Sequence, residues 1–163
     1  MNTGSQKSSA TPIFASTGST PAGKLSKKKN LTEILAAHEI PYTANASPGH
    51  LDDLARKIEK AKKIRGTKVI TVLIPCLPGW GVADDMGVTV ARLAVETGMF
   101  PLYEVEDGYR YTLNHKTKDR PVTDYLSTQK RYGHLSKEEI DLIQSNVDVQ
   151  WKRLTQKAAS SSD

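Results

Sequence analysis

Between Tyr42 and Ile74 the sequence spells a strand, a helix and a second strand, and this pattern limits the fold more than any other feature. "YTANA" (Tyr42 to Ala46) is a short strand. Ser47 and Pro48 read as a cap followed by proline at the first helical position. Leu51, Leu54, Ala55, Ile58 and Ala61 then recur at the spacing of one helix face, which predicts that this face is buried. Asp52, Asp53, Arg56, Lys57, Glu59, Lys60 and Lys63 cover the opposite face, and Gly66 ends the helix. "KVITVLI" (Lys68 to Ile74) is β-branched, almost wholly apolar and too short for a helix. A strand without polar alternation is expected to be buried on both faces, as in a parallel sheet. The three elements make a βαβ unit with a right-handed crossover. The fold class is therefore α/β, with a partial parallel sheet flanked by helices.

The flanking segments add to this frame. Asn30 is an N-cap with Glu33 in the capping-box position, and Leu31, Ile34, Leu35 and His38 follow at helical spacing until Pro41. Met86 to Gly98 reads as a mostly apolar helix closed by glycine. Asp107-Gly108 is the favoured two-residue turn of a β-hairpin spanning Pro101 to Leu113. Asp119 to Gln129 predicts a short helix. Ser136 and Glu139 form a second capping box, and Ile140, Ile143, Val147, Trp151 and Leu154 give the C-terminal helix its apolar stripe. No internal repeat is visible. The expected organisation is a loop segment over 1–30, an α/β domain over 31–157 and a tail over 158–163.

At 163 residues the chain can bury a core without covalent staples. No apolar run approaches the ~20 residues of a membrane span, and no basic start followed by an apolar block marks a secretory signal. A single cysteine excludes an internal disulfide and fits a reducing cytoplasm. The net charge of +5 belongs to residues 1–30, which hold Lys7, Lys24, Lys27, Lys28, Lys29 and no acid, while the remainder carries 18 basic and 18 acidic side chains. "KLSKKKN" reads either as a solvated loop or as a contact for phosphates or an acidic partner.

Cys76 stands where the second strand gives way to "PCLPGWG". In open α/β sheets ligands collect at the carboxyl ends of strands. Pro75 blocks further pairing, and Gly79 and Gly81 allow a tight turn. Three readings of the thiol stand together: an inert buried side chain, a nucleophile needing a base from His38, His50, His115 or His134, and a ligand to a metal or iron–sulfur cluster. A [4Fe–4S] cluster takes four thiolates, of which this chain supplies one.

The motifs "MNTGSQKSSATP", "IPCLPGWG", "ARLAVETGMFPLYEVEDG" and "KDRPVTDYLSTQKRYGHL", in this order, closely resemble the carboxyl half of the β subunit of 2-oxoacid:ferredoxin oxidoreductases, nearest to pyruvate synthase (pyruvate:ferredoxin oxidoreductase). The resemblance runs from Met1 to about Trp151. It implies half of a thiamine-diphosphate-binding fold in an enzyme that converts pyruvate or a related 2-oxoacid plus coenzyme A into acyl-CoA and carbon dioxide. Electrons then pass through [4Fe–4S] clusters to ferredoxin. It implies that Asn2, Thr3 and Gly4 belong to the cofactor loop, with the Asn2 amide near the reacting centre, and that Cys76 is the cluster ligand remote in sequence from the other three.

The sequence also departs from the family pattern. The Gly-Asp-Gly segment whose Asp binds Mg²⁺ is not in this chain, nor are three of the cluster cysteines. Thiamine diphosphate, Mg²⁺ and the cluster would all need residues from elsewhere, so the chain alone is expected to be inactive. Its expected partners are the missing N-terminal part of the β subunit, other subunits of the oxidoreductase, ferredoxin, coenzyme A and the 2-oxoacid, with no membrane. Two other readings stay open: a non-catalytic remnant acting as an interaction fragment, and a basic nucleic-acid-binding module. Trp80 reads equally as a cluster shield or as core. Arg92 and Glu96 suggest a surface ion pair. Tyr103, Tyr109 and Tyr111 suggest sheet packing.

Overall fold

The computed structural model describes residues 6–117 and 119–161. Helix α1 (Leu31–Ala36) is followed by β1 (Tyr42–Ala46), α2 (Leu51–Lys63), β2 (Lys68–Val72), the single turn α3 (Leu77–Trp80) and α4 (Gly87–Glu96). The hairpin β3 (Tyr103–Glu106) and β4 (Arg110–Leu113), the single turn α5 (Thr123–Leu126) and the long α6 (Lys137–Ser160) complete the order. The sheet order is β2-β1-β3-β4. β1 and β2 are parallel, Tyr42 facing Lys68 and Ala46 facing Val72. β3 runs antiparallel to both β1 and β4. The α/β class and the βαβ unit are as expected, and the hairpin makes the sheet mixed.

The local signals explain most element ends. Asn30 Oδ1 accepts from the Glu33 amide, while the Glu33 carboxylate turns away to the Tyr111 hydroxyl and the Lys157 ammonium. Asp107 and Gly108 both have positive φ, 51° and 82°, as the right-handed twist of a tight hairpin demands. The Ser136–Glu139 capping box forms in both directions. α6 then runs through Ser160, past the boundary expected at 157, and Ser161 ties its end to the Tyr109 carbonyl. Asp119–Gln129 holds only one helical turn, α5, followed by a 3-10 turn over Lys130–Tyr132.

Two expectations are corrected. β2 is an edge strand, with Lys68 and Val72 exposed and the residues between them half-buried. The strand enclosed on both sides is β1, whose five residues are all buried. Apolarity in β2 therefore does not mark a central position. The second correction concerns α2, which starts after His50 rather than at Pro48. It buries Asp53, Lys57 and Ala61 and leaves Leu51 and Ile58 exposed, 66% and 44%. The sheet beneath it explains this inversion. Register and pleat put Tyr42, Ala44, Glu104 and Glu106 on one face. Lys57 Nζ donates to the Asn45 carbonyl at 2.6 Å and to Asp53 Oδ2 at 2.7 Å. Lys60 Nζ donates to Glu104 and Glu106, and the Tyr42 hydroxyl donates to Glu104. A charged sheet face selects the charged helix face.

The opposite sheet face packs on α1, where Thr32 Oγ1 donates to Asn45 Oδ1 at 2.6 Å and Ala36 meets Tyr103 and Val105. The largest apolar cluster lies off the sheet. It joins Val90, Leu93 and Ala94 of α4, Tyr125 and Leu126 of α5 and Ile143 of α6 to Ala15, Trp80, Val82 and Tyr132. This second core positions the loop that carries Cys76.

Candidate functional site

Pro75 ends the β2 extension, and Cys76 caps the one-turn helix α3 with its carbonyl accepting from the Trp80 amide at 2.8 Å. Gly81 closes that turn at φ 65°, and a Cβ there would lie 2.6 Å from Lys130 Cβ. The chain can reverse this tightly only with glycine. The thiol is free and half-buried against the off-sheet core. Among the described residues no side chain hydrogen-bonds it, so no histidine base is paired with it. Nor do three or more His, Cys, Asp or Glu side chains among the described residues gather where they could hold a metal. A cluster at Cys76 would take its other ligands from outside this chain.

Several donors border the off-sheet core on which Cys76 packs. Trp80 is buried, and its indole N–H finds no acceptor. The Tyr132 hydroxyl is likewise buried without a partner, and burial raises its pKa. The Arg131 guanidinium lies 3.8 Å from the Trp80 ring centroid and 4.8 Å from that of Tyr132. Its Nε donates to Gln129 Oε1 at 2.9 Å and its Nη2 to the Tyr125 hydroxyl at 3.3 Å. Arg131 is 4% exposed, yet among the described residues no carboxylate pairs with it. Buried cations are ordinarily paired. Lys28 adds a second positive charge nearby. Its ammonium donates to the Met99 carbonyl at 3.2 Å and sits over Phe100. Burial, and next the Arg131 charge, bring its pKa down to about 8.

The N-terminal segment is fastened to the same place. Ser16 donates from both its amide and its hydroxyl to the Arg131 carbonyl, at 3.0 and 3.1 Å. Phe14 and Ala15 exchange backbone bonds with Lys24, whose ammonium is buried and donates to the Thr11 carbonyl at 2.7 Å. Asn2, Thr3 and Gly4 lie outside the described residues. Two lysines of "KLSKKKN" are thus structural rather than displayed, and Lys27 and Lys29 remain exposed. No pattern in the sequence singles out Arg131. It falls in an irregular stretch where no periodicity flags burial; the only signal was its place beside aromatic residues in "QKRYGHL".

Three other residue readings resolve. Glu96 is buried and takes Arg120 at 2.9 Å, rather than Arg92, as an ion-pair partner. Tyr103 and Tyr111 stack at 6.3 Å within the sheet, while Tyr109 is exposed beside Arg110. Trp80 belongs to the core and also touches the Cys76 turn.

No family model matches the chain. Individual curated proteins do. Pyruvate synthase subunit PorB of Methanocaldococcus jannaschii is 47% identical over 160 residues, covering 94% of this chain and 53% of that protein. The chain is homologous to part of a 2-oxoacid oxidoreductase β subunit. Ketoisovalerate oxidoreductase subunit VorB of Pyrococcus abyssi matches at 43% identity, over 94% of this chain and 52% of its own length. PorB of Thermotoga maritima matches at 40%, over 94% and 51%. The chain therefore spans about half the length of the curated relatives it matches. No helix among the described residues is long and apolar enough to cross a membrane.

Proposed function

We propose that the chain is the C-terminal portion of the β subunit of a 2-oxoacid:ferredoxin oxidoreductase, and that Cys76 supplies one thiolate to a [4Fe–4S] cluster. Thiamine diphosphate with Mg²⁺ would supply the decarboxylation chemistry, the cluster would carry single electrons toward ferredoxin, and coenzyme A would receive the acyl group. Asn2, Thr3 and Gly4 would line the cofactor loop, with the Asn2 amide able to donate and accept toward substrate or cofactor. The observation that carries the reading is an unpaired, half-buried thiol just past a strand that has no outer neighbour among the described residues. Both features suit a ligand completed by other polypeptide. β2 leaves an open edge, and Ile74 beyond it is 71% exposed. Such an edge calls for a further strand or a covering element. The substrate is taken only as pyruvate or a related 2-oxoacid, because relatives named for pyruvate and for ketoisovalerate match at similar identity.

The deciding experiment is anaerobic co-expression with the remaining length of a family β subunit. The expected product is a brown complex absorbing near ~400 nm, with the absorbance lost in Cys76→Ala. A Cys76→Ala complex that retains cluster iron and colour would overturn the assignment. A complex that assembles but never takes up iron would leave the interaction-fragment reading in its place.

A further inference from the structure

We propose that the outer flank of α2 and the open edge of β2 form one docking surface, and that its occupant is a strand with an apolar-faced helix from the part of the family β subunit that this chain does not span. The proposal rests on the reading of the chain as a C-terminal portion of that subunit, and it adds where the two pieces meet. An apolar stripe at helical spacing ordinarily faces a core. On α2 it does not, because Asp53, Lys57 and Ala61 take the side toward the sheet. Leu51 and Ile58 are exposed and Leu54 is only half-buried.

The stripe looks toward the open edge. Lys60 reaches Glu104 and Glu106 of β3, whereas Ala61 packs with Tyr42 and Ala44 of β1 and with Ile70 of β2. β2 and β3 lie on opposite sides of β1, so Ala61 marks the flank of α2 nearer β2. At ~100° per residue, Leu54, Ile58 and Leu51 lie about 60°, 100° and 120° round from Lys57 in the direction of Ala61, and Lys60 lies about 60° the other way. The edge strand presents matching surface. Ile70 pairs with Ala44 and Val72 with Ala46, so both side chains stand on the α2 face of the sheet. α2 runs back between two parallel strands, which sets Leu51 at the carboxyl end of β2, where Val72 and Ile74 are exposed. A parallel strand added at β2 would take up its outer amides and carbonyls. A right-handed crossover continuing outward from β2 puts its helix on the α2 side, against the stripe. The chain covers 53% of one curated relative and 52% of another, so nearly half of each subunit is available to supply such a unit.

The test co-expresses the chain with the remaining length of a family β subunit and measures co-purification and retention on dilution. Leu51→Gln with Ile58→Gln places good helix formers at exposed positions, so the thermal melt of the variant chain should match wild type. Its affinity for the partner piece should fall at least about tenfold, through the apolar area no longer buried. Leu142→Gln, at an exposed position of α6, should leave capture unchanged. Amide hydrogen exchange over residues 68–74 should slow in the wild-type complex relative to the chain alone, and this measurement carries the test if the double variant does not fold. Undiminished capture by the double variant, an equal loss in Leu142→Gln, or β2 amides that gain no protection would overturn the proposal while leaving the subunit reading intact. A tight dimer of the free chain that the double variant abolishes would give the surface to a second copy and overturn it as well. Failure of the wild-type chain to be captured at all would remove the subunit reading and the proposal with it.

Discussion

The buried pair under α2 offers the sharpest test of how this fold is held. Asp53→Ala leaves the Lys57 ammonium 2% exposed with only the Asn45 carbonyl to accept from it. Removing one partner of a buried pair costs about 3–5 kcal/mol, because the survivor is stranded in a poor solvent for charge. Against a total stability of ~5–15 kcal/mol this is a large share. For a chain of this size it corresponds to a loss of roughly 10 °C in Tm. The paired change Asp53→Leu with Lys57→Met removes both charges and should recover most of the loss. The pH response supplies an independent check. Burial already lowers the folded-state pKa of Lys57, opposed by Asp53. Without Asp53 it falls further. The penalty is then fully present where Lys57 is protonated in both states, and it declines as pH rises through the folded value toward the unfolded 10.5. Urea unfolding of wild type and variants from neutral pH upward measures both effects. A deficit below about 1 kcal/mol, or one that does not shrink as pH rises, would refute the reasoning.

Other outcomes follow from the same geometry. Lys28, at about 8 in the folded state against an ordinary 10.5, should make Tm rise as pH passes from the lower value to the higher, and Lys28→Met should flatten that rise; a wild-type slope surviving in the variant would count against its burial. Gly108→Ala puts a Cβ 2.7 Å from the Ala36 carbonyl at φ 82°, so it should lower stability by more than about 1 kcal/mol in denaturant melts. Ile74→Ser should leave the chain's own stability nearly unchanged, since Ile74 is 71% exposed. It should weaken capture by the remaining length of a family subunit by about 2 kcal/mol, read by titration calorimetry.

Much of this fold was legible because its signals are local. The Asp107-Gly108 turn, the Ser136–Glu139 box and the strand positions at Tyr42 and Lys68 depend on neighbours within a few residues. The orientation of α2 was not legible, because an amphipathic pattern says that two faces differ without saying which one the sheet wants. Here Glu104 and Glu106, some 50 residues downstream, made the charged side the inner one. The edge position of β2 was hidden for a related reason: an apolar strand written for enclosure reads the same whether or not its neighbour is in the chain. Cys76 could be found from its Pro–Gly–Trp setting. Arg131 could not, since its burial is created by Trp80, Tyr125 and Ser16 meeting from three separate stretches.

The open side of β2 has a consequence for how such a chain can be made. Its outer backbone amides and carbonyls form a row ready to template any extended peptide, and no proline, bulge or interior charge blunts them between Lys68 and Val72. Preparations of the chain are therefore expected to self-associate as concentration rises, with Lys68 at the end of the strand the one charge of β2 that opposes it.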